Sequence, residues 1–388
     1  MVFEHGHQHY YVVWETSCPA KAFLLEWWAD YARESEPSMA RHYIEPQLKR
    51  IDDTHHRYTA IIGPVGNASQ IHYRATSYSM STKHYSISRR SEAELTQVLV
   101  ISDNQNGPTE FRNILSSIRR HYGSHSTPDL ILHVGDSVQN VRKLNDWQKQ
   151  FFSPLEDGGG YHHSSPLVFV PGNHDHDKAR TSRNGNVYAD MYHGIDATED
   201  LGKPLVANGT YHRFYHTTSL GSARCIVLDA ECPSAEQSEF LQRELQSEAF
   251  QAAHFRIVAI HIPPYIEFWD PYTWNHKNEK RWGEHIRLEY DALFRKYRVD
   301  VVISGHQHNY MRATVPRKGS ATDTGSITYA IVGGAGGTLD LVRVENWHMY
   351  NVTYLDHHFV SLEIKNNQLR WLAKNTAGSI IDQFSIAR

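Results

Sequence analysis

Leu99–Gly107 reads LVISDNQNG: an apolar run that breaks into an aspartate, with a glutamine two residues further on. A run of Leu, Val and Ile without polar interruption is what a strand buried on both faces looks like. Asp103 then stands at the carboxyl end of that strand, where open α/β sheets place the groups that meet a ligand. The arrangement recurs four times. DLILHVGD ends on Asp136, PLVFVPGNHD carries Asn173 and His174, FRIVAIHIPP carries His261, and DVVISGHQH carries His306 and His308. Any one of these alone is better read as a turn, a helix cap or a satisfied core histidine. Five in the same register point to one crevice.

Between these strands lie helical patterns, near Thr109 to His121, near Val141 to Phe152, over SAEQSEFLQRELQSEAF with a Ser/Thr-type cap, and over IRLEYDALFRKY. The alternation predicts a largely parallel α/β unit from residue 91 to 388. Its end, HHFVSLEIKNNQLRWLAKN and GSIIDQFSI, reads as antiparallel strands with a hairpin turn at Asn366 and Asn367. Residues 1–90 differ in texture: short β-type runs such as YYVVWET, HRYTAIIGP and QIHYRATSY are separated by turns, which predicts a small β-sandwich. AKAFLLEWWADYARESE fits a helix or a strand by its apolar spacing.

With 388 residues, 40% hydrophobic and 21% charged, the chain has an ordinary globular composition. A net charge of -4 without a basic stripe argues against nucleic acid or an anionic membrane as main partner. The three cysteines, Cys18, Cys225 and Cys232, lack zinc-like spacing and suggest neither a disulfide framework nor a Cys-based metal site. No run of 18 apolar residues is present, and MVFEHGHQHYY lacks a signal-peptide pattern, so a cytoplasmic location is expected. The sequons at Asn67, Asn208 and Asn351 are what chance supplies. Histidine is abundant, at 27, but its positions carry more information than its number.

The residues gathered at the strand ends are carboxylates, imidazoles and an amide, with no thiolate. That donor set suits first-row divalent metals such as Mn, Fe or Zn, and so many donors suit two ions rather than one. A carboxylate between two ions can bridge them roughly 3.5–4 Å apart, a clamp for displacement at phosphorus. The glycines before Asp136, Asn173 and His306 are expected to let the backbone turn as each residue leaves its strand.

The ordered series SD, VGD, GNHD, H and GHQH resembles the calcineurin-like metallophosphoesterases, and GHQHNYMR, YAIVGGAGG and LRWLAKNTAGSIIDQFSI resemble the purple acid phosphatases in particular. VVWET, HRYTAIIGP and IHYRA are similar to that family's fibronectin type III-like domain. The resemblance implies an N-terminal sandwich, then two packed sheets flanked by helices. It implies one metal on Asp103, Asp136 and His308, a second on Asp136, Asn173, His261 and His306, and Asp136 as the bridge. His174 corresponds to the family's catalytic or substrate-binding histidine and would help protonate the leaving oxygen. The reaction implied is attack on a phosphate ester by a water acidified by the metals, with a small phosphorus-containing substrate.

Two positions depart from the pattern. Most metallophosphoesterases carry Asp-x-His at the first motif, where this chain has Gln105; purple acid phosphatases use a tyrosine three residues after the bridging Asp, where this chain has Gln139. Without an anionic phenolate, two divalent ions and a colourless protein are expected. Gln105 is favoured over Gln139 for the first metal by its spacing from Asp103, against a reading in which neither ligates or Gln105 only orients the nucleophile. The aromatic segment after His261 makes His276 and Glu267 candidate substrate contacts, and GGGYHH at Gly158–His163 is a glycine-rich stretch near the site in sequence. Besides phosphomonoester or diester hydrolysis, the sequence leaves open chemistry on another phosphorus substrate such as a phosphonate, or a non-catalytic relic of the fold.

Overall fold

Strands with no polar face need cover on both sides. The computed structural model describes residues 1–388 apart from 6–8, 18–21, 32–39, 79, 90–94, 124–125, 177–213, 232–233, 270–282, 318–324 and 344–345. Two large sheets supply cover for each other. One has the spatial order Leu167–Phe169, Leu130–His133, Thr96–Ile101, His358–Lys365, Gln368–Asn375, Ile380–Ala387. Its first three strands are parallel and the others antiparallel. The second runs His216–Leu220, Ala223–Leu228, Phe255–Ile260, Val301–Ser304, Ser326–Val332, Tyr310–Pro316, Val352–Tyr354, with parallel pairing from Ala223–Leu228 through Ser326–Val332.

Alternate residues of each run serve different layers. Val98, Val100, Leu132, Val227, Ile257, Ile303 and Trp371 form the core between the sheets. Leu99 and Ile101 turn the other way, onto Phe111, Ile114, Leu115 and Ile118 of the helix Pro108–Tyr122. Leu228, Val258 and Ile260 do the same on the far side, against Phe240, Leu241 and Leu245 of the helix Ala235–Gln246 and Phe294 of Asp291–Lys296. The result is the helix–sheet–sheet–helix arrangement that the family resemblance implied. Full burial contributes about 1.5–3 kcal/mol per large aliphatic side chain, so both faces of each strand are committed to folding. Chemistry is left to the strand ends.

Ser234 caps its helix through Oγ, which accepts from the Gln237 N–H at 3.1 Å. The helix predicted to continue to Phe250 instead breaks at Ser247, which is extended at ψ 147° and caps a second helix, Glu248–Ala252, by accepting from the Phe250 N–H. A serine that can satisfy a fresh N-terminus outcompetes continuation of the helix. The hairpin between His358–Lys365 and Gln368–Asn375 turns at Asn366 and Asn367, with Asn366 at φ +49°.

Strands up to Ser88 build two four-stranded antiparallel sheets around one core, which includes Tyr10, Val12, Ala60 and Ile62 from one sheet and Leu25, Trp27, Ile71 and Tyr73 from the other. The ambiguous segment forms a strand, Leu24–Tyr31, paired on both sides with His42–Ile44 and Ala68–Thr76. Leu25, Trp27 and Ala29 point into the core, and that period of two wins over the helical spacing because both neighbours complete the ladder. Among the described residues no helix is long and apolar enough to cross a membrane.

The tail of GHQHNYMR serves the fold. Tyr310 Oη donates to Asp382 Oδ2 at 2.6 Å, Arg312 donates through Nη2 to Asp382 Oδ1 at 3.0 Å, and Trp371 Nε1 donates to Tyr310 Oη at 3.0 Å. Asp382 lies on the last strand of the first sheet and Arg312 on the second, so this cluster ties the two sheets together. The Asp382→Ala variant leaves a mostly buried guanidinium and a buried phenol without their acceptor. We expect a loss of about 3 kcal/mol, read as a lower urea midpoint at unchanged slope.

Candidate metal centre

Asp103, Asp136 and His306 each follow directly from a strand end or its glycine, and each has a left-handed backbone, at φ 60°, 55° and 71°. Such conformations cost non-glycine residues of order 1–3 kcal/mol and persist where the surroundings impose them. Here they turn three polar side chains into one crevice at the ends of the strands. Of the three glycines expected to ease these turns, Gly135 is left-handed at φ +98°. Gly172 acts by its missing side chain: a Cβ there would lie 2.2 Å from Asp136 Oδ1.

All eight predicted site residues lie at this crevice. Asp103 and Asp136 are 0% and 2% exposed. His261 Nε2 stands 3.4 Å from Asp136 Oδ1, 3.9 Å from Asp103 Oδ1 and 3.3 Å from Asn173 Oδ1. His306 Nδ1 is 2.8 Å from the same Asn173 oxygen. On the other side, His308 Nε2 is 3.5 Å from Asp103 Oδ1, and Gln105 Nε2 lies 3.0 Å from Asp136 Oδ2 and 3.2 Å from His308 Nε2. His174, half-buried, donates its backbone N–H to Asp136 Oδ1 at 2.8 Å.

The imidazoles are oriented by backbone carbonyls. His261 donates Nδ1–H to Val134 O at 2.6 Å, and His308 donates Nδ1–H to Thr338 O at 2.7 Å. In both rings Nε2 is therefore the nitrogen turned to the carboxylates. His174 Nδ1 donates to Gln139 O at 3.1 Å, which likewise leaves its Nε2 for other work.

Burial opposes a charge on His261, yet Asp136 and Asp103 overcome it and push the pKa up to about 10. Burial is outweighed in the same way at His308, which Asp103 pushes up to about 9. Burial pulls His306 well below its ordinary value. At Asp136 burial favours the protonated form, but His261 and His174 hold the carboxyl well below the usual carboxylate range. Among the described residues, the partners of Asp103 and Asp136 are imidazoles, backbone N–H groups, a hydroxyl and an amide; none is a guanidinium or ammonium. A buried pair of carboxylates with rings held in this way suits divalent cations, since the field that holds protons on the rings also favours a cation. Gln105 Oε1 is buried without a hydrogen-bond partner, an acceptor that a cation would satisfy.

The two glutamines separate. Gln139 accepts at Oε1 from Asn106 Nδ2 at 2.8 Å, so its side chain is engaged with a loop neighbour, while Gln105 is beside Asp136. Glu267, a candidate substrate contact, is buried and accepts the backbone N–H groups of Trp347 and Met349, each at 3.1 Å; it holds a loop. His276 lies outside the described residues. Gly158–His163 packs on the N-terminal sandwich, where Tyr73 Oη donates to His163 O at 2.6 Å and Tyr85 stacks on the His163 ring.

Three supporting residues escaped the sequence reading. Asp175 accepts the N–H groups of Asp136 and Gly172, both at 2.8 Å, and so locks two of the turns to each other. Asn104 donates to Ser137 O and Gln150 O and accepts from His133 Nε2. Asp340 accepts from the His308 N–H at 2.8 Å and from Trp269 Nε1 at 3.0 Å. Only Asp175 had a signal, as the acid directly after GNH.

A calcineurin-like phosphoesterase model matches residues 96–310, more than half of the chain, and the protein belongs to that family. Within it the relatives are purple acid phosphatases. The chain is 26% identical over 288 residues to Probable inactive purple acid phosphatase 24 of Arabidopsis thaliana, covering 67% of this chain and 43% of that protein. It is 31% identical over 139 residues to Fe(3+)-Zn(2+) purple acid phosphatase 12 of the same plant, covering 31% of this chain and 28% of that one. The structure of a purple acid phosphatase from yellow lupin seeds superposes with a TM-score of 0.76 at 17% identity, covering 100% of this chain and 73% of that chain. PhoD superposes at 0.66 with 13% identity, covering 99% and 88%. The chain thus spans well under two thirds of the length of the curated relatives it matches.

Proposed function

We propose that the chain is a dimetal-dependent phosphohydrolase that cleaves a phosphate ester of a small molecule. The observation that supports this most is the buried Asp103–Asp136 pair faced by His261 and His308, both presenting Nε2 because their Nδ1–H groups are held by carbonyls. One metal would be held by Asp103, Asp136, His308 and Gln105, the other by Asp136, Asn173, His261 and His306. Two divalent ions there would supply an acidified water and positive charge facing the phosphoryl oxygens.

The chain's own groups do the rest. His174 would act through Nε2, its ring pinned in direction by Gln139 O and its backbone N–H tied to Asp136. As the oxygen of the attacking water bonds to phosphorus and gives up a proton to solvent, the ester P–O bond breaks and the leaving oxygen would take a proton from His174 Nε2, which solvent restores. Gln105 Nε2 orients groups beside Asp136 Oδ2. Asp175, through the backbone of Asp136 and Gly172, keeps these distances fixed.

The purified protein loaded with Mn, Fe or Zn is to be screened against phosphomonoesters, diesters, nucleotides and phosphonates. Turnover of an ester is expected, and no turnover on any of them with both metals bound overturns the enzyme reading. Turnover confined to phosphonates would favour a changed substrate, for which Gln105 beside Asp136 is the structural basis. With Gln139 engaged by Asn106 and no phenolate in that position, the loaded protein is expected to be colourless, with no visible absorption band. A purple ferric form contradicts the divalent assignment.

A further inference from the structure

The glycine-rich stretch set aside above brings together a second group of metal-ligating side chains, sharing no residue with the Asp136 cluster. Glu156 lies in the last turn of the helix Ser153–Asp157, Gly159 and Gly160 reverse the chain at φ +123° and +67°, and His162 and His163 follow in a short turn. The reversal returns both rings to the carboxylate they left. His163 Nε2 lies 2.7 Å and His162 Nε2 3.5 Å from Glu156 Oε2. One donor atom from each of the three residues falls within 4.8 Å of the others. Zinc bonds of about 2.0–2.1 Å in a tetrahedron put donors roughly 3.4 Å apart, so small side-chain movements close this set around an ion.

His162 is 5% exposed, and its Nδ1 is buried without a hydrogen-bond partner. Its described polar neighbours are the Glu156 carboxylate at 3.5 Å and the His163 ring, 4.0 Å away between centroids, with the N-terminal ammonium acting on it as well, and none of them gives Nδ1 a hydrogen bond. Glu156 is largely exposed, which leaves a route for an ion and room for water as a fourth ligand. We propose that Glu156, His162 and His163 form a zinc-class metal site at the junction between the N-terminal sandwich and the catalytic part of the chain. Tyr73 and Tyr85 of the sandwich already grip His163, by a 2.6 Å hydrogen bond to its carbonyl and by ring stacking at 4.2 Å. An ion bound here therefore fastens the turn that the sandwich rests on.

The test strips the full chain with chelator and measures zinc bound per chain by equilibrium dialysis, for the wild type and for a Glu156→Gln/His162→Gln double variant. The variant is expected to bind one zinc ion fewer, while the Asp136 cluster fills equally in both. Equal stoichiometry overturns the site and leaves the Glu156–His163 contact as an ordinary hydrogen bond. Should the double variant lose its fold by circular dichroism, Glu156→Gln alone serves, since that side chain is on the surface. Unchanged zinc binding in this variant again overturns the proposal; selective weakening of one zinc supports it.

Discussion

The Asp136→Ala variant is expected to lose phosphate-ester turnover entirely, by more than the roughly 10³-fold that removal of a single charge-stabilising donor costs an enzyme. Asp136 is common to both proposed metal sites, so its loss empties two at once. It also receives the His174 N–H and the Gln105 amide, so the proton carrier and its neighbour lose their anchor together. Asp136→Asn distinguishes chemistry from folding. Asparagine tolerates the left-handed φ of 55° and fills the space against Gly172, yet it lacks the bridging charge. Both variants should bind less metal by elemental analysis. Wild-type turnover in Asp136→Asn would remove the bridge from the account.

His174→Ala is expected to lower kcat on an ester with a poor leaving group by about 10²–10⁴-fold, the usual contribution of a positioned general acid. Metal content should stay as in the wild type, because among the described residues no contact within 4 Å joins the His174 ring to Asp103 or Asp136, as contacts join His261 and His308 to them. The dependence on leaving group is diagnostic. An aryl ester whose leaving oxygen needs no proton should lose much less than an alkyl ester. Equal losses on both would reassign His174 to binding the phosphoryl group.

How far the sequence carried these conclusions follows from where the information lies. The ligand-type residues were legible because each directly follows an apolar strand, so type and position were both visible in one line of text. Leu24–Tyr31 was ambiguous because two tryptophans and two leucines suit either period, and only the flanking strands decide it. The break at Ser247 was missed because a capping serine and a mid-helix serine look alike until the chain turns. Asn104 and Asp340 act on backbone groups distant in sequence, Gln150 O and His308 N among them, which leaves no periodic trace. The choice between Gln105 and Gln139 rested on spacing alone; the structure adds that Asn106 occupies Gln139.

Glu156, His162 and His163 show the opposite case. Their clustering depends on a two-glycine reversal whose direction no local pattern fixes, so a stretch of little apparent meaning acquired a chemical one only in three dimensions.

Anomalous diffraction from crystals of the metal-loaded protein, collected at the absorption edge of the bound element, tests the central claim most directly. The account requires two peaks flanking Asp136, roughly 3.5–4 Å apart, one toward Asp103 and His308 and the other toward Asn173, His261 and His306. A crevice without peaks in protein shown to be folded, or a single ion that does not touch Asp136, would contradict it.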